Sequence, residues 1–148
     1  MILISHRGNI DGPNTDKENK PSYISAAINR GYDCEVDFWF VNDKFILGHD
    51  KPQYDFPFEL MKNHAKKLWI HCKNLDAMSQ LNELDKGGVY LNYFWHQKDN
   101  VTLTSKGYLW AYPGKNVNNS IAVLPEIHND NLDNRIGICS DEILKYIK

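Results

Sequence analysis

The chain has 148 residues, of which 42% are apolar and 24% charged, with a net charge of -2 at pH 7. That length suits one domain with a sizeable core, and the near-neutral balance argues against bulk binding to nucleic acid or to an anionic membrane surface. No apolar run approaches the ~20 residues of a spanning helix, and "MILIS" has neither a basic flank nor a small-residue cleavage site, so neither membrane insertion nor a secretory leader is expected. Cys34, Cys72 and Cys139 sit in apolar runs and form no CxxC pair, which reads as reduced thiols in a cytoplasmic protein.

In chain order, Ile2–Ser5 is the first expected strand. "PSYISAAINR", Pro21–Arg30, has Pro in its first turn, apolar residues at helical spacing and Gly31 just beyond, and is expected to be a helix. Strands follow at Cys34–Phe40 and Phe45–Leu47, then a helix at Phe58–Lys67 and a strand at Leu68–Cys72. Leu75–Leu84 is expected to be helical, with Asn74 as N-cap and Gly87 and Gly88 past its end. Val89–Phe94, Tyr108–Ala111, Ile121–Leu124 and Arg135–Cys139 complete the strands, and Ser140–Ile147 is a last helix whose start Asp141 is placed to cap. This alternation favours an α/β fold with parallel strands in one domain over residues 1–148. The second half is less regular. "KDNVTLTSK" is short and β-branched for a crossover helix, and "PGKNVNNS" and "HNDNLDN" read as loops.

Several strands carry residues that packing does not call for. In "DCEVDFWF", Glu35 and Asp37 lie two apart and so share one face of a strand, opposite Cys34 and Val36. Two like charges on an apolar strand repel and desolvate each other unless a cation compensates; the alternative is a solvated hairpin face. Phe38 and Phe40 are read as extending the carboxylate face with aromatics. In "LWIHCKN", His71 and Lys73 likewise share a face. If the two strands are parallel neighbours, these groups and His6 gather at the carboxyl ends of the strands, where such folds bind ligands.

The set "SHRG", "KEN" before a helix, "RGYDCEVDFWFVNDKFILGHD" and "LWIHCKN" resembles the glycerophosphodiester phosphodiesterases, in order and over about the first half of the chain. "RIGICSDEI" is similar to that family's last strand. The resemblance implies a TIM-type (β/α) barrel, here reduced in size with several crossover helices shortened or missing, because a full barrel typically takes ~250 residues. It implies His6 and His49 as a general acid/base pair. It makes Glu35 and Asp37 ligands of one divalent cation (Mg, Ca or Mn) and sets Arg7 and Lys73 beside the substrate phosphate. His71 stands where the family usually has a liganding glutamate, so the expectation is a histidine ligand that favours borderline metals over Mg or Ca. Glu126 and His96 each follow an apolar run and are further candidates for the site, and Trp110 is a candidate for its wall or for the core. The implied activity is metal-dependent hydrolysis of a small phosphodiester. The alternatives are a phospholipase D-like lyase that stops at a cyclic phosphate and an inactive phosphate-binding relative.

Overall fold

A computed structural model of the chain describes residues 1–147. Ten strands form one curled, mixed sheet. They are β1 (Ile2–His6), β2 (Asp33–Val41), β3 (Lys44–Leu47), β4 (Tyr54–Asp55), β5 (Leu68–Cys72), β6 (Asn92–Trp95), β7 (Val101–Leu103), β8 (Leu109–Ala111), β9 (Ser120–Val123) and β10 (Gly137–Ser140). The α-helices are α1 (Pro21–Asn29), α2 (Phe58–His64) and α3 (Leu75–Lys86). Parallel ladders run β6–β5–β2–β1–β10–β9–β8. Antiparallel additions extend both sides: β3 pairs with the end of β2, β4 with β3, and β7 with β8.

The expected TIM-type barrel of alternating strand and helix units does not form. The chain makes a curled half-barrel with three short α-helices, and β6 pairs only with β5, so no ladder closes the sheet. The reason lies in the connections of the second half. Segments 96–100, 112–119 and 124–136 are too short or too rich in Asn, Asp and Gly to lay an amphipathic helix against the sheet. The last expected helix is also absent: only a 3₁₀ turn at Ile143–Tyr146 forms after β10. Phe58–Lys67 divides into α2 and a 3₁₀ turn at Ala65–Lys67. Among the described residues, no helix is long and apolar enough to cross a membrane.

Apolar side chains pack on both faces of the sheet. Outside, α1, α2, α3 and the β3–β4 hairpin cover a core that includes Ile24, Val36, Phe38, Leu47, Met61, Ile70, Leu81 and Leu91. Phe38 therefore belongs with Cys34 and Val36, and strand alternation sends Phe40 the same way; they do not extend the carboxylate face. Inside the curl, Ile4, Trp69, Phe94, Trp110, Ile121, Val123 and Cys139 form a second core. Asn74 caps α3 by accepting from the Ala77 N–H at 3.1 Å, and it also exchanges two hydrogen bonds with the Phe40 backbone.

Arg135 ties the helix-free loops to the sheet. Its guanidinium is buried and donates to the carbonyls of Lys115 (2.7 Å), Val117 (2.7 Å) and Asn131 (3.3 Å) and to the Ser120 hydroxyl. Lysine keeps the charge but has one ammonium instead of a planar fork. We therefore predict that Arg135→Lys lowers unfolding free energy by about 2 kcal/mol or more, since hydrogen bonds to a charged group are worth ~1.5–3 kcal/mol. A urea titration checks this, and an unchanged midpoint would show that the loops are held by other contacts.

Candidate active site

The carboxyl ends of the parallel strands carry the titratable groups. Parallel pairing sets His6 opposite Glu35 and Asp37 opposite His71, so strand register alone brings the four together. A cavity of about 390 Å³ opens over them; its lining includes His6, Arg7, Glu35, His49, His71 and His96.

Asp37 is fully buried and surrounded by donors. Asn19 donates from Nδ2 to Oδ2 at 2.9 Å, and its Oδ1 accepts from the Asp37 backbone N–H at 3.0 Å. Arg7 Nε lies 2.8 Å from Oδ2, as an ion pair off the hydrogen-bond axis. Lys73 Nζ is 3.6 Å from Oδ1, His71 Nδ1 3.1 Å from Oδ1 and His49 Nδ1 3.3 Å from Oδ2. Burial would raise this carboxyl's pKa, but contacts with His49, His71 and Arg7 outweigh it and hold the group well below the usual range.

Glu35 is the opposite case. It is also buried, but Oε2 has no hydrogen-bond partner. Burial, then the charge of Asp37, push its pKa up, against the opposing charges of His6, Arg7 and His71.

Local backbone geometry sets these side chains. Arg7 follows β1 in the left-handed region, at φ 54°, which costs a non-glycine residue about 1 kcal/mol or more. Its N–H donates to the Glu35 carbonyl and its own carbonyl accepts from Asn19, so the turn is fixed on both sides. His49 stands on the rim, with 44% of its side chain exposed. Its Nδ1 accepts from Arg7 Nη2 at 2.7 Å, which leaves the ring proton on Nε2. Gly48 sets this position: its N–H donates to the Asp37 carbonyl at 3.1 Å and its carbonyl accepts from Trp39 Nε1 at 2.6 Å.

His6 is paired with a residue that the sequence reading assigned elsewhere. Its Nδ1–H donates to Asp141 Oδ1 at 2.7 Å, and Nε2 faces Glu35 Oε2 at 3.8 Å. Asp141 therefore does not cap a helix; it orients His6 and also accepts from Asn9 Nδ2 at 2.8 Å. Burial lowers the His6 pKa, but the Asp141 hydrogen bond and the Glu35 charge prevail and the pKa is raised. The signal was the β1–β10 register: Ser5 pairs with Ser140, which sets Asp141 beside His6. Asn9 and Glu18 were also passed over. Asn9 donates to Glu18 at 2.9 Å, and Glu18 accepts from Arg7 at 3.2 Å.

The remaining candidates divide. His96 and Trp110 line the cavity, and Trp110 is also a core residue, stacked on Trp69 at 5.6 Å. Glu126 stands behind the site, accepting from the Ser140 hydroxyl (2.9 Å) and the Asp141 N–H (3.1 Å). His71 presents Nδ1 to both carboxylates, 3.1 Å from Asp37 and 4.0 Å from Glu35, while Nε2 is 3.4 Å from the His96 carbonyl. One ligand atom each from Glu35, Asp37 and His71 lie within 4.8 Å of one another. No protein-family model, curated protein or solved structure matches the chain.

The raised pKa of His6 means that its pairing adds stability which is complete below the ordinary value of 6.5 and is lost as pH rises through the folded value. Asp141, held below its ordinary 3.8, adds stability that is present above that value and is lost as pH falls. In Asp141→Asn, His6 loses its charged partner, and its NMR-titrated pKa is expected to fall; an unchanged titration would assign the raised value to Glu35 alone. A second expectation concerns the rim. A Cβ on Gly48 would lie 2.0 Å from the Lys51 carbonyl oxygen, so Gly48→Ala must move backbone. We expect it to lose more than about 1 kcal/mol of stability and to release His49 from Arg7. A wild-type denaturation curve, with unaltered His49 resonances, would refute this.

Proposed function

We propose that this site cleaves a small phosphodiester with the help of one divalent cation, Mg, Ca or Mn. The observation that carries the reading is the meeting of three ligand atoms at one point. Glu35 holds a buried oxygen with no donor. When His71 donates from Nε2 to the His96 carbonyl, its Nδ1 offers a third lone pair beside those of Glu35 and Asp37. Lone pairs gathered in this way repel unless His71 is protonated or a cation lies among them, and the donor set suits Mn as well as Mg or Ca. The residues therefore fit the group. The ordered motifs resembling glycerophosphodiester phosphodiesterases point the same way. Three unpaired buried thiols suit the reducing, cytoplasmic setting that the reading carries.

Bound there, the cation would neutralise charge on a non-bridging phosphate oxygen. Arg7 and Lys73 hold the phosphate; both now lean on Asp37, so an anionic substrate draws them toward the cavity. His6, oriented by Asp141, accepts the proton of the attacking hydroxyl at Nε2 while the new P–O bond forms. As Arg7 turns to the phosphate, it frees Nδ1 of His49. That nitrogen takes a proton from solvent at the rim and donates it in a hydrogen bond to Asp37 Oδ2, and the imidazolium protonates the departing oxygen from Nε2 as the old P–O bond breaks. Attack by the substrate's own neighbouring hydroxyl leaves a cyclic phosphate, the lyase outcome. Attack by water gives direct hydrolysis.

The test is turnover of bis(p-nitrophenyl) phosphate and of glycerophosphodiesters with Mg, Ca or Mn, with products separated by ³¹P NMR. His6→Asn and His49→Asn should each reduce the rate by about 10²–10⁴-fold. His71→Glu should shift the metal preference toward Mg or Ca. By calorimetry, the Glu35→Gln, Asp37→Asn double variant should lose Mn binding. Equal Mn affinity in the double variant and the wild type would remove the cation from the site. No turnover with any of the three metals would overturn the reading.

A further inference from the structure

On the far side of the cavity a polar atom lacks a partner. The Tyr112 hydroxyl is buried and makes no hydrogen bond, although its ring reaches the surface and lines the cavity with His6, Glu35 and His71. A buried tyrosine hydroxyl normally finds a partner, and one left without costs about 1–3 kcal/mol. The strain is held in place by the neighbours. Tyr112 stacks on His96 with ring centroids 3.4 Å apart and planes 18° apart. His96 is fixed in turn by Asp99, 3.1 Å from its Nδ1, and its carbonyl receives the His71 ring. The phenol is therefore aligned by a chain that starts at the proposed cation ligand. Burial, and after it the charges of Glu35 and Asp99, keep the hydroxyl protonated, so it remains a donor.

We propose that Tyr112 is a binding residue of this site, donating its hydroxyl proton to an anionic phosphate oxygen of the ligand. The inference rests on the phosphodiesterase reading. Tyr112 follows β8, across the curl from β2, whereas Arg7 and Lys73 sit against Asp37 of β2. The cations thus grip the phosphate from one side and Tyr112 from the other. No other side-chain donor on this wall is both buried and unpaired among the described residues: Trp110 is packed between Trp69 and Phe94, and His96 is engaged with Asp99.

The experiment compares wild type with Tyr112→Phe in three measurements: urea stability, calorimetric binding of inorganic phosphate in the presence of Mn, and turnover of bis(p-nitrophenyl) phosphate. Removing an unpaired hydroxyl should leave stability equal or higher, while phosphate binding weakens roughly ten- to hundredfold, as expected for a lost hydrogen bond to a charged group. A clear loss of stability, or failure to fold, would show that the hydroxyl serves the protein, and overturns the proposal. Phosphate binding by the wild type that Tyr112→Phe retains in full overturns the Tyr112 assignment and leaves the phosphodiesterase reading standing. A wild type that neither binds phosphate nor turns over the diester overturns both.

Discussion

The arrangement of this molecule turns on the buried carboxylate of Asp37. A lone charge in that position would cost several kcal/mol, so the fold has to bring donors to it. They come from separate parts of the chain: Arg7 after β1, Asn19 before α1, and His71 and Lys73 at the end of β5. One side chain thereby stitches together the segments that make the rim. Glu35, two residues earlier on the same face, receives no comparable set. Two neighbouring carboxylates thus lie in opposed environments, one held ionised by donors and one pushed toward the neutral form by burial and by its neighbour.

Where no ladder closes the sheet, aromatic rings bridge it, together with a few hydrogen bonds that join Thr102 and Ser105 to β6. No ladder joins β6 to β8, yet Phe94 of β6 meets Trp110 of β8 at 4.8 Å, Trp69 of β5 meets the same Trp110 at 5.6 Å, and His96 meets Tyr112 at 3.4 Å. Aromatic pairs add about 0.5–1.5 kcal/mol each beyond the area they bury. Phe94, His96, Trp110 and Tyr112 also wall the cavity, so the rings that bridge the gap shape the space over the carboxylates. Helix-free connections on this side are compatible with a defined site because Arg135 and these rings fix the loops from within.

Parts of this were legible in the sequence. Leu68–Cys72 was read with its bounds, and the shared faces of Glu35 with Asp37 and of His71 with Lys73 follow from strand alternation. The same rule was misapplied to Phe38 and Phe40, which lie an odd number of residues from the carboxylates. β4 and β7 escaped notice because they are short and their apolar residues do not alternate over enough length to signal a strand. Asp141 reaches the site through a pairing between segments far apart in the chain, which no local pattern encodes, whereas Asn19 stood in the "KEN" motif without being given a role. The barrel expectation failed for a related reason: strand order can be inferred from alternation, but whether a connection can lay a helix on the sheet depends on its length and composition, and here these were insufficient.

His71 shows how the charge balance limits what the site can hold. A carboxylate there would add a third buried negative group beside Glu35, whose pKa is already raised by burial and by Asp37. Imidazole offers a lone pair without that charge, and its second nitrogen reaches the His96 carbonyl and so links β5 to the segment after β6. In the proposed reading, such a site would attract hard ions less strongly than three carboxylates. In that reading, preference for a borderline metal follows from the nitrogen lone pair that residue 71 offers in place of a third carboxylate.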